Sequence, residues 1–421
     1  MAAMGHEVVG IDVDERKIDS LTRGDAPFFE PGLPELLLEG GRSGLLSFST
    51  DISAAAEARV HFIAVGTPQS AEGGGADMTY VDAAIEGLLP YLSAGDVVVG
   101  KSTVPVGTAA RLAASVAERG AVLAWNPEFL REGFAVKDTL HPDRIVYGLP
   151  EGEAGEHARA LLDEVYAGPI AEGAPVIATD FATAELVKVA ANAFLATKIS
   201  FINAMAEIAE TVGADVTQLA DGIGHDVRIG RRFLNAGIGF GGGCLPKDIR
   251  AFHARAEELG HGDSLAFLRE VDEINMRRRA FVADLGVEMF DGDVTGRRVT
   301  VLGATFKPNS DDVRDSPALD VARELAGRGA HVVVTDPQGI ENARRVAPDL
   351  EYVTDTVEAL RGAELVVLAT EWNDYRELDP AAVAELVAMP RLIDARNCLD
   401  ATAWLDAGWD YRGLGRYRHA R

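Results

Sequence analysis

One of the two cysteines in this 421-residue chain lies in a glycine-rich segment, residues 237–248, which reads GIGFGGGCLPKD. The three glycines directly before Cys244 have no Cβ, so the backbone there can approach a ligand closely. Pro246 is typical of the first turn of a helix, which predicts that Cys244 lies where backbone N–H groups and the helix dipole favour a thiolate. Asp248 is expected on the same face of that turn. A turn around a buried cysteine is the alternative, but the glycines and the carboxylate favour a positioned nucleophile.

The composition bounds the class of protein. With 421 residues, 47% hydrophobic and 25% charged, the chain is typical of a soluble protein of two or three domains. A net charge of −26 argues against nucleic acid or an anionic membrane as a partner. We find no apolar run of about 18 residues and no signal-peptide pattern. Two cysteines make no disulfide framework, so we expect a reducing, cytoplasmic location and interpret Cys398 as a bystander.

Hydrophobic patterns divide the chain into three regions. Short β-rich runs at 6–12, 61–65, 96–99 and 144–147 alternate with helical patterns, which predicts buried strands of a parallel, doubly wound sheet. A helical pattern then spans about 180–212, with Thr179 or Asp180 as N-cap and Gly213 as the stop. Its length predicts a helix that bridges domains.

The alternation of strand and helix starts again after a turn-rich break at 291–296. Strands are predicted at 298–303, 331–335 and 365–369, with a helix from about Ser316. The sequence therefore predicts an α/β fold with two Rossmann-like doubly wound domains, joined by a long central helix and a helical dimerisation region. The predicted boundaries are 1–178, 179–290 and 291–421.

The first predicted strand ends in an acidic residue, Asp12. In dinucleotide-binding folds, a carboxylate in this place accepts hydrogen bonds from the adenosine ribose and disfavours a 2′-phosphate. The glycine-rich turn that normally lies about 20 residues earlier has no room here, because the given chain begins 11 residues before Asp12. The opening residues are typical of a first helix running into a second strand. We therefore expect the first strand and glycine loop to be missing, through a start assigned too late in the gene or through truncation. Such a gap would leave neighbouring strands without partners.

Further motifs follow one another in a fixed order. They are Gly10-Ile-Asp12, Glu30-Pro-Gly-Leu33, Val65-Gly-Thr-Pro68, Lys101-Ser-Thr-Val-Pro-Val-Gly107, Asn126-Pro-Glu-Phe-Leu-Arg-Glu-Gly133, His141-Pro-Asp-Arg-Ile145, the pair Lys188 and Asn192, and Phe306-Lys-Pro-Asn309 leading to Arg314. With the Cys244 segment, these motifs resemble the UDP-glucose 6-dehydrogenase family, within the nucleotide-sugar dehydrogenases, over nearly the whole chain. Gly243 stands where many members carry serine.

The resemblance implies a four-electron oxidation of the sugar C6 alcohol to a carboxylate, with reduction of two NAD⁺ and no metal. It implies that residues 1–178 bind NAD, 179–290 form the dimer and 291–421 bind the UDP-sugar. Oxidation of an aldehyde requires a tetrahedral intermediate, which a thiolate supplies as a thiohemiacetal and then a thioester. Cys244 is assigned that role.

The resemblance also assigns the other catalytic residues. Lys188 and Asn192 lie four residues apart on the long predicted helix, so they face one way and suit stabilisation of an oxyanion. Glu132, Thr103 and Asp248 match the positions that handle water during thioester hydrolysis.

Binding residues follow from the same resemblance, with Lys101 expected nearby. The implied NAD contacts are Asp12, Lys17, Thr67, Thr103, Glu132, Lys247 and Arg314. The implied contacts to the nucleotide sugar are Glu128, Phe129, Leu130, Lys188, Asn192, Phe240, Gly241, Lys307 and Arg396. Lys307 and Arg396 would suit the diphosphate as a point charge and a planar fork. Arg228 matches a residue that reaches the substrate of the neighbouring subunit, which implies a homodimer.

Alternatives stay open at this point. UDP-glucose is the expected substrate because residues 131–144 resemble that branch better, but related enzymes oxidise UDP-N-acetylmannosamine or GDP-mannose. A different class is a nucleotide-sugar-binding protein that cannot hold the NAD pyrophosphate and serves as an inactive dimer partner.

Overall fold

The computed structural model describes residues 1–70 and 74–416. By their contacts, the residues form two compact units. The first unit comprises Met1–Ala191 and Arg250–Asp263, and the second comprises Asn192–Ile249 and Ser264–Arg421. The predicted three-domain boundaries at 178/179 and 290/291 stay a prediction.

Thirteen strands are described in residues 1–70 and 74–416. They are β1 Val8–Ile11, β2 Leu46–Ser49, β3 Val60–Ile63, β4 Val97–Gly100, β5 Val122–Trp125, β6 Ile145–Gly148, β7 Val176–Thr179, β8 Arg298–Leu302, β9 His331–Thr335, β10 Glu351–Tyr352, β11 Leu365–Leu368, β12 Arg391–Asp394 and β13 Asp410–Gly413.

Helices connect these strands over the same residues. They are α1 Glu15–Thr22, α2 Leu33–Ser43, α3 Thr79–Leu88, α4 Thr108–Ala117, α5 Ala135–Leu140, α6 Glu153–Val165, α7 Ala167–Ala171, α8 Phe181–Val212, α9 Val216–Gly224, α10 Leu245–Glu258, α11 Phe267–Glu288, α12 Pro317–Gly327, α13 Ile340–Val346, α14 Thr356–Leu360, α15 Asn373–Arg376, α16 Pro380–Ala384 and α17 Ala401–Asp406. Short 3₁₀ turns lie at Ala2–Met4, Ile52–Glu57, Leu89–Tyr91 and Gly262–Leu265.

The first unit contains two sheets. Strands β1 and β2 form a parallel pair, and a separate sheet has the order β3-β4-β5-β6-β7. The four predicted strands are confirmed, with two corrections. Strand β1 is only half-buried, and β6 meets β5 antiparallel at a single residue pair while it runs parallel to β7. Among the described residues, β1 pairs with β2 alone and β3 with β4 alone.

Strand β4 shows why this unit is doubly wound. All four of its residues are buried, and neighbouring side chains point to opposite faces of the sheet. Val98 packs on one face with Ile85 of α3, whereas Val97 packs on the other with Leu162 of α6. A strand that is covered by helices on both faces is expected to be apolar at every position, and the sequence of β4, VVVG, has this property.

The second unit contains one sheet of six parallel strands in the order β10-β9-β8-β11-β12-β13. This order is that of a Rossmann fold, and the chain reverses direction across the sheet between β8 and β11. Ligands of such sheets bind at the carboxyl ends of the strands beside this switch point. The predicted second Rossmann-like domain is confirmed.

The long helix α8 begins and ends where the sequence predicts. Asp180 caps it, because its Oδ1 accepts the N–H of Thr183 at 2.8 Å. Gly213 (φ 78°) ends it, and the N–H groups of Gly213 and Ala214 both donate to the carbonyl of Ala209.

Helix α8 is also long and apolar enough to cross a membrane, by length and composition alone. Several of its polar side chains are nevertheless buried and bonded to the protein; for example, Ser200 donates to the carbonyl of Val271, and Asn203 accepts the N–H of Gly237. This pattern is typical of a core helix.

Candidate functional site

Cys244 is exposed and directly precedes α10, and its carbonyl accepts the N–H of Asp248 at 2.9 Å. The carboxylate of Asp248 is buried and held from two sides. The side-chain amide of Asn192 donates to Oδ2 at 2.6 Å, and the ammonium of Lys247 lies 2.7 Å from Oδ1. The predicted helix start directly after Cys244 is confirmed. Cys398, by contrast, is half-buried, and burial raises the pKa of its thiol.

Two of the glycines before Cys244 are required because neighbouring protein atoms leave no space for a Cβ. A Cβ on Gly241 would lie 2.2 Å from the carbonyl oxygen of Asp315, and one on Gly239 (φ 100°) 2.3 Å from Oδ1 of Asn275. Neither position has room for a side chain. We predicted that these glycines admit a ligand; the close approach that the structure shows is to neighbouring protein atoms.

Two buried side chains of α11 form hydrogen bonds with the backbone of Phe240. Asn275 accepts its N–H at 2.7 Å and donates to its carbonyl at 2.9 Å. Arg279 donates to the same carbonyl at 2.7 Å and is itself paired with Asp315 and Asp320. Sequence reasoning missed both residues, although an Asn and an Arg one helical turn apart on a buried face would have been a usable signal.

Arg396 follows β12 and donates to three backbone carbonyls. They belong to Ala369 (2.8 Å), Gly239 (2.9 Å) and Phe306 (3.0 Å), and Glu371 lies 3.2 Å from its Nε. The guanidinium thereby ties together the segments that follow β8, β11 and β12, at the carboxyl edge of the sheet. These bonds give Arg396 a structural role; its contact with a diphosphate stays a prediction.

The other residues predicted for this unit are distributed around the same edge or beyond it. Lys307 lies with its ammonium 5.1 Å from the ring of Phe306, after β8. Arg314 makes a two-pronged pair with Asp312 and is largely exposed. Arg228 is the most exposed of them and pairs with Asp226.

In the first unit, Glu128, Phe129 and Lys188 come together as predicted. The ammonium of Lys188 is buried and lies 3.1 Å from Oε1 of Glu128. The ring of Phe129 contacts the guanidinium of Arg144 at 3.8 Å and the ammonium of Lys188 at 5.4 Å. The other carboxylate oxygen of Glu128 accepts the N–H of Leu130 at 2.6 Å. The cluster therefore holds one partly buried ion pair against an aromatic face.

Lys101, expected from the sequence to lie near the NAD contacts, is a second, half-buried cation. It follows β4, and its ammonium lies 3.1 Å from Oδ1 of Asn126, which follows β5, and 3.3 Å from the hydroxyl of Tyr166. Burial lowers the pKa of Lys101 to about 8; nearby Glu128 opposes this and Lys188 adds to it.

The loops after β3 and β4 are tied to each other. The hydroxyl of Thr67 donates to the carbonyl of Thr103 at 2.8 Å, and that of Ser102 to the carbonyl of Val65 at 2.6 Å. Thr67 and Thr103, both predicted to contact NAD, are therefore neighbours. Glu132 follows five residues after Pro127 in the loop beyond β5.

An acidic residue follows a strand in each unit, Asp12 after β1 and Asp336 after β9, and the two have different surroundings. Asp12 follows β1 and remains accessible; burial opposes its ionisation, but the hydrogen bonds from Lys17 (2.7 Å) and the N–H of Asp14 outweigh this and lower its pKa. Asp336 follows β9 and is buried, and its oxygens accept the N–H groups of Ala304 and Gly339. Of these two acids, Asp12 alone keeps its carboxylate accessible to a ligand, as the ribose contact predicted from the sequence requires.

Among the described residues, no group of three or more His, Cys, Asp and Glu side chains could hold a metal ion. The fold defines a Rossmann-type protein. Its first unit has an accessible acid after a strand, as dinucleotide-binding folds do, and its second unit has an exposed thiol at a helix start.

Comparison with known proteins agrees with this class. Three domains of the UDP-glucose/GDP-mannose dehydrogenase family match the chain: the NAD binding domain at 1–168, the central domain at 182–277 and the UDP binding domain at 300–401. The chain belongs to this family.

Similar proteins cover almost the whole chain. A UDP-glucose 6-dehydrogenase of Rhizobium meliloti is 42% identical over 99% of this chain and 95% of its own length, and one of Bacillus subtilis is 42% identical over 99% and 89%. The solved structure of a UDP-glucose dehydrogenase from Pyrobaculum islandicum is 39% identical, with a TM-score of 0.89, covering 99% of this chain and 93% of that one. A UDP-D-ManNAc dehydrogenase from Pyrococcus horikoshii is 25% identical, with a TM-score of 0.84 and coverage of 99% and 95%.

The Gly241→Ala variant should lose about 3 kcal/mol of stability, because the new Cβ meets a backbone carbonyl that cannot rotate away. The matched variant Gly41→Ala, at an exposed position inside α2 with open space around it, should gain about 0.5–1 kcal/mol. Chemical denaturation of both variants measures this. Equal changes in the free energy of unfolding would show that the backbone around Gly241 shifts to accommodate the new Cβ.

Lys101 should make stability depend on pH. Its pKa is lower in the folded chain (about 8) than its ordinary value of 10.5, so the folded state bears the cost of a buried ammonium below pH 8 and is relieved of it as the pH rises. Between pH 7 and pH 9, the wild type should therefore gain about 1 kcal/mol relative to Lys101→Met. A difference that does not change with pH would contradict this assignment.

Proposed function

We propose that this protein is an NAD-dependent dehydrogenase that oxidises UDP-glucose to UDP-glucuronate in the cytoplasm. The observation that carries the proposal is the accessible Cys244 at the start of α10, beside a carboxylate fixed by Asn192 and Lys247. Membership of the family and the 42% identity to UDP-glucose 6-dehydrogenases support this substrate over a UDP-N-acetylmannosamine or GDP-mannose, because the matched UDP-D-ManNAc dehydrogenase is only 25% identical.

NAD⁺, held beside Asp12 and Lys17, would supply the oxidant for both steps; each of two molecules bound in turn would take a hydride from C6 while the proton of the C6 hydroxyl is released. After the first oxidation, the thiolate of Cys244 adds to the C6 aldehyde and forms a thiohemiacetal. The second oxidation converts this adduct to a thioester, and a water molecule then cleaves the C–S bond. The products are the C6 carboxylate and the regenerated thiol. The carbonyl oxygen becomes negative in each tetrahedral state and requires fixed donors.

We assign those donors and the handling of water to the residues predicted from the sequence. Asn192 and Lys188 lie one turn apart on α8. The amide of Asn192 is held by the carboxylate of Asp248, and the ammonium of Lys188 is held by that of Glu128. An amide or ammonium that is already fixed loses little entropy when it binds an oxyanion. Thr103, Glu132 and Asp248 are assigned to the water and its proton.

NAD and the nucleotide sugar are assigned to different Rossmann-type sheets. Asp12, with Lys17 beside it, would accept the adenosine ribose hydroxyls, and its charge disfavours a 2′-phosphate. The sugar nucleotide would lie at the switch point of the second sheet, where Lys307 and the segment tied by Arg396 are located. Thr67, Lys247 and Arg314 are proposed NAD contacts, and Glu128, Phe129, Leu130, Phe240 and Gly241 are proposed sugar contacts.

A homodimer is proposed from an apolar stripe on α8. Phe194, Phe201 and Ile208 recur every seven residues, and Val212 continues the stripe; all four are exposed, by 67%, 48%, 55% and 68%. Large apolar side chains at this spacing on one helix face are typical of a helix–helix interface. Arg228, exposed and carrying its own carboxylate partner, is proposed to reach the substrate of the neighbouring subunit.

The purified wild type, given UDP-glucose and excess NAD⁺, should form two NADH per sugar consumed. Cys244→Ala should bind UDP-glucose without net turnover, and Cys244→Ser should stall as a stable ester that mass spectrometry detects, because an ester hydrolyses more slowly than a thioester. Full turnover by Cys244→Ala would rule out the covalent route. UDP-glucose binding without any NADH from the wild type would instead indicate the inactive binding partner.

The shared site predicts complementation between inactive chains. Mixed Cys244→Ala and Arg228→Ala chains should regain about a quarter of wild-type activity, since half the dimers are mixed and each mixed dimer has one intact site. Phe201→Glu should give monomers in sedimentation analysis, whereas Val357→Glu, at an exposed position on α14, should not. No recovery in the mixture would exclude a site shared through Arg228.

A further inference from the structure

Two buried glutamates bind the backbone of two loops in the same way. Glu30, in the Glu30-Pro-Gly motif, accepts the N–H of Gly133 on Oε2 and that of Ala135 on Oε1, both at 2.7 Å. Glu185, on α8, accepts the N–H groups of Gly107 and Ala109, also both at 2.7 Å. The two glutamates are 5% and 2% exposed, so these bonds are shielded from water.

Each glutamate replaces a cap that the local sequence does not supply. Helix α4 begins after Gly107 and α5 after Phe134, and neither residue caps its helix with a side chain. The leading N–H groups of both helices are instead satisfied from 76 to 105 residues away in the sequence. A carboxylate with two N–H donors makes two charge-assisted bonds.

Glu30 and Glu185 each hold the end of a loop that would otherwise have many conformations; we call each glutamate with its two backbone bonds a clamp. Gly107 and Gly133 have φ values of 99° and 74°, in the left-handed region that glycine enters and leaves easily. The side chain of Arg255 adds a third bond to the first loop, from its Nε to the carbonyl of Val106 at 3.1 Å. The loop before Gly107 carries Thr103, and the loop before Gly133 carries Glu128 and Glu132.

We propose that Glu30 and Glu185 are positioning residues for hydrolysis of the Cys244 thioester, because each fixes one of the two loops whose residues handle the water. The proposal rests on the proposed function, in which Thr103 and Glu132 have that task. Neither glutamate touches the reacting atoms. Lys188 and Asn192, the donors assigned to the oxyanions, lie on α8; of these loops' residues, Glu128 pairs with Lys188 but lies five positions before Gly133, whereas Glu132 directly precedes it. Loosening the loops at Gly107 and Gly133 therefore slows hydrolysis more than it slows oxidation.

The test replaces each carboxylate by its amide. In Glu30→Gln and Glu185→Gln, one oxygen becomes an NH₂ group that faces an N–H group, so one of the two bonds is lost at almost unchanged size. Glu364→Gln is the matched control: Glu364 also accepts a backbone N–H, that of Arg298 at 3.0 Å, and an arginine, but at the start of β8.

Hydrogen exchange without substrate reports the clamps directly. In the wild type, the amides of Gly107, Ala109, Gly133 and Ala135 should exchange slowly. Glu185→Gln should speed exchange at 107–109 at least tenfold and leave 133–135 unchanged, and Glu30→Gln should do the reverse, while Glu364→Gln changes neither. Fast exchange of these amides in the wild type overturns the proposal even if a variant does not fold.

Turnover then tests the assigned step. With UDP-glucose and NAD⁺, both variants should release two NADH per site in a rapid phase, followed by a steady state at least tenfold slower than that of the wild type. Mass spectrometry of the quenched protein should show the acyl adduct on Cys244. A slower rate without accumulated adduct overturns the role in hydrolysis. A wild type that forms no NADH overturns the proposed function and this role together, while the exchange rates still decide whether the glutamates hold the loops.

Discussion

Hydrogen bonds between buried side chains and loop backbone are the interaction that places the residues of the candidate site. They hold the Cys244 segment in the second unit and the loops that end at Gly107 and Gly133 in the first. In the second unit, Asn275 and Arg279 grip Phe240, and Arg396 donates to Gly239. Glycine-rich backbone is flexible by itself, so the place of Cys244 depends on groups that are distant in sequence. The same physics applies to the loops that Glu30 and Glu185 hold. Each bond is worth little against water but much in a shielded interior, where leaving an N–H unsatisfied is costly.

Asp12, after β1, and Asp336, after β9, use a carboxylate at a strand end in different ways. Asp12 keeps its carboxylate accessible and ionised, whereas Asp336 directs its oxygens at the protein's own N–H groups. One carboxylate is therefore left accessible to a ligand, and the other holds the protein's own backbone. The difference lies in burial, which decides whether a carboxylate is available to a ligand.

Charge is concentrated locally in a chain whose net charge is −26. Lys188 is buried against Glu128 and the ring of Phe129, and Lys101 lies nearby in contact with Asn126 and Tyr166. Burial makes the ammonium of Lys101 harder to keep protonated, because the interior solvates it less well than water. A pair of lysines beside one carboxylate gives an acidic protein a locally positive region for an anionic substrate.

The sequence by itself determined what depends on neighbours along the chain. The apolar runs of β4, β8 and β9, the Asp180 cap and Gly213 stop of α8, and the start of α10 after Cys244 all follow from periodicity, capping and one proline, and all are confirmed. The tertiary structure decided what depends on distant residues. Only it revealed that the glycines of the Cys244 segment make room for protein atoms, that Asn275 and Arg279 hold this segment, and that β1 is half-buried in a two-stranded sheet. Such contacts join residues far apart in the sequence, 157 positions for Arg396 and Gly239, and no local pattern records which distant side chain will satisfy a given backbone group.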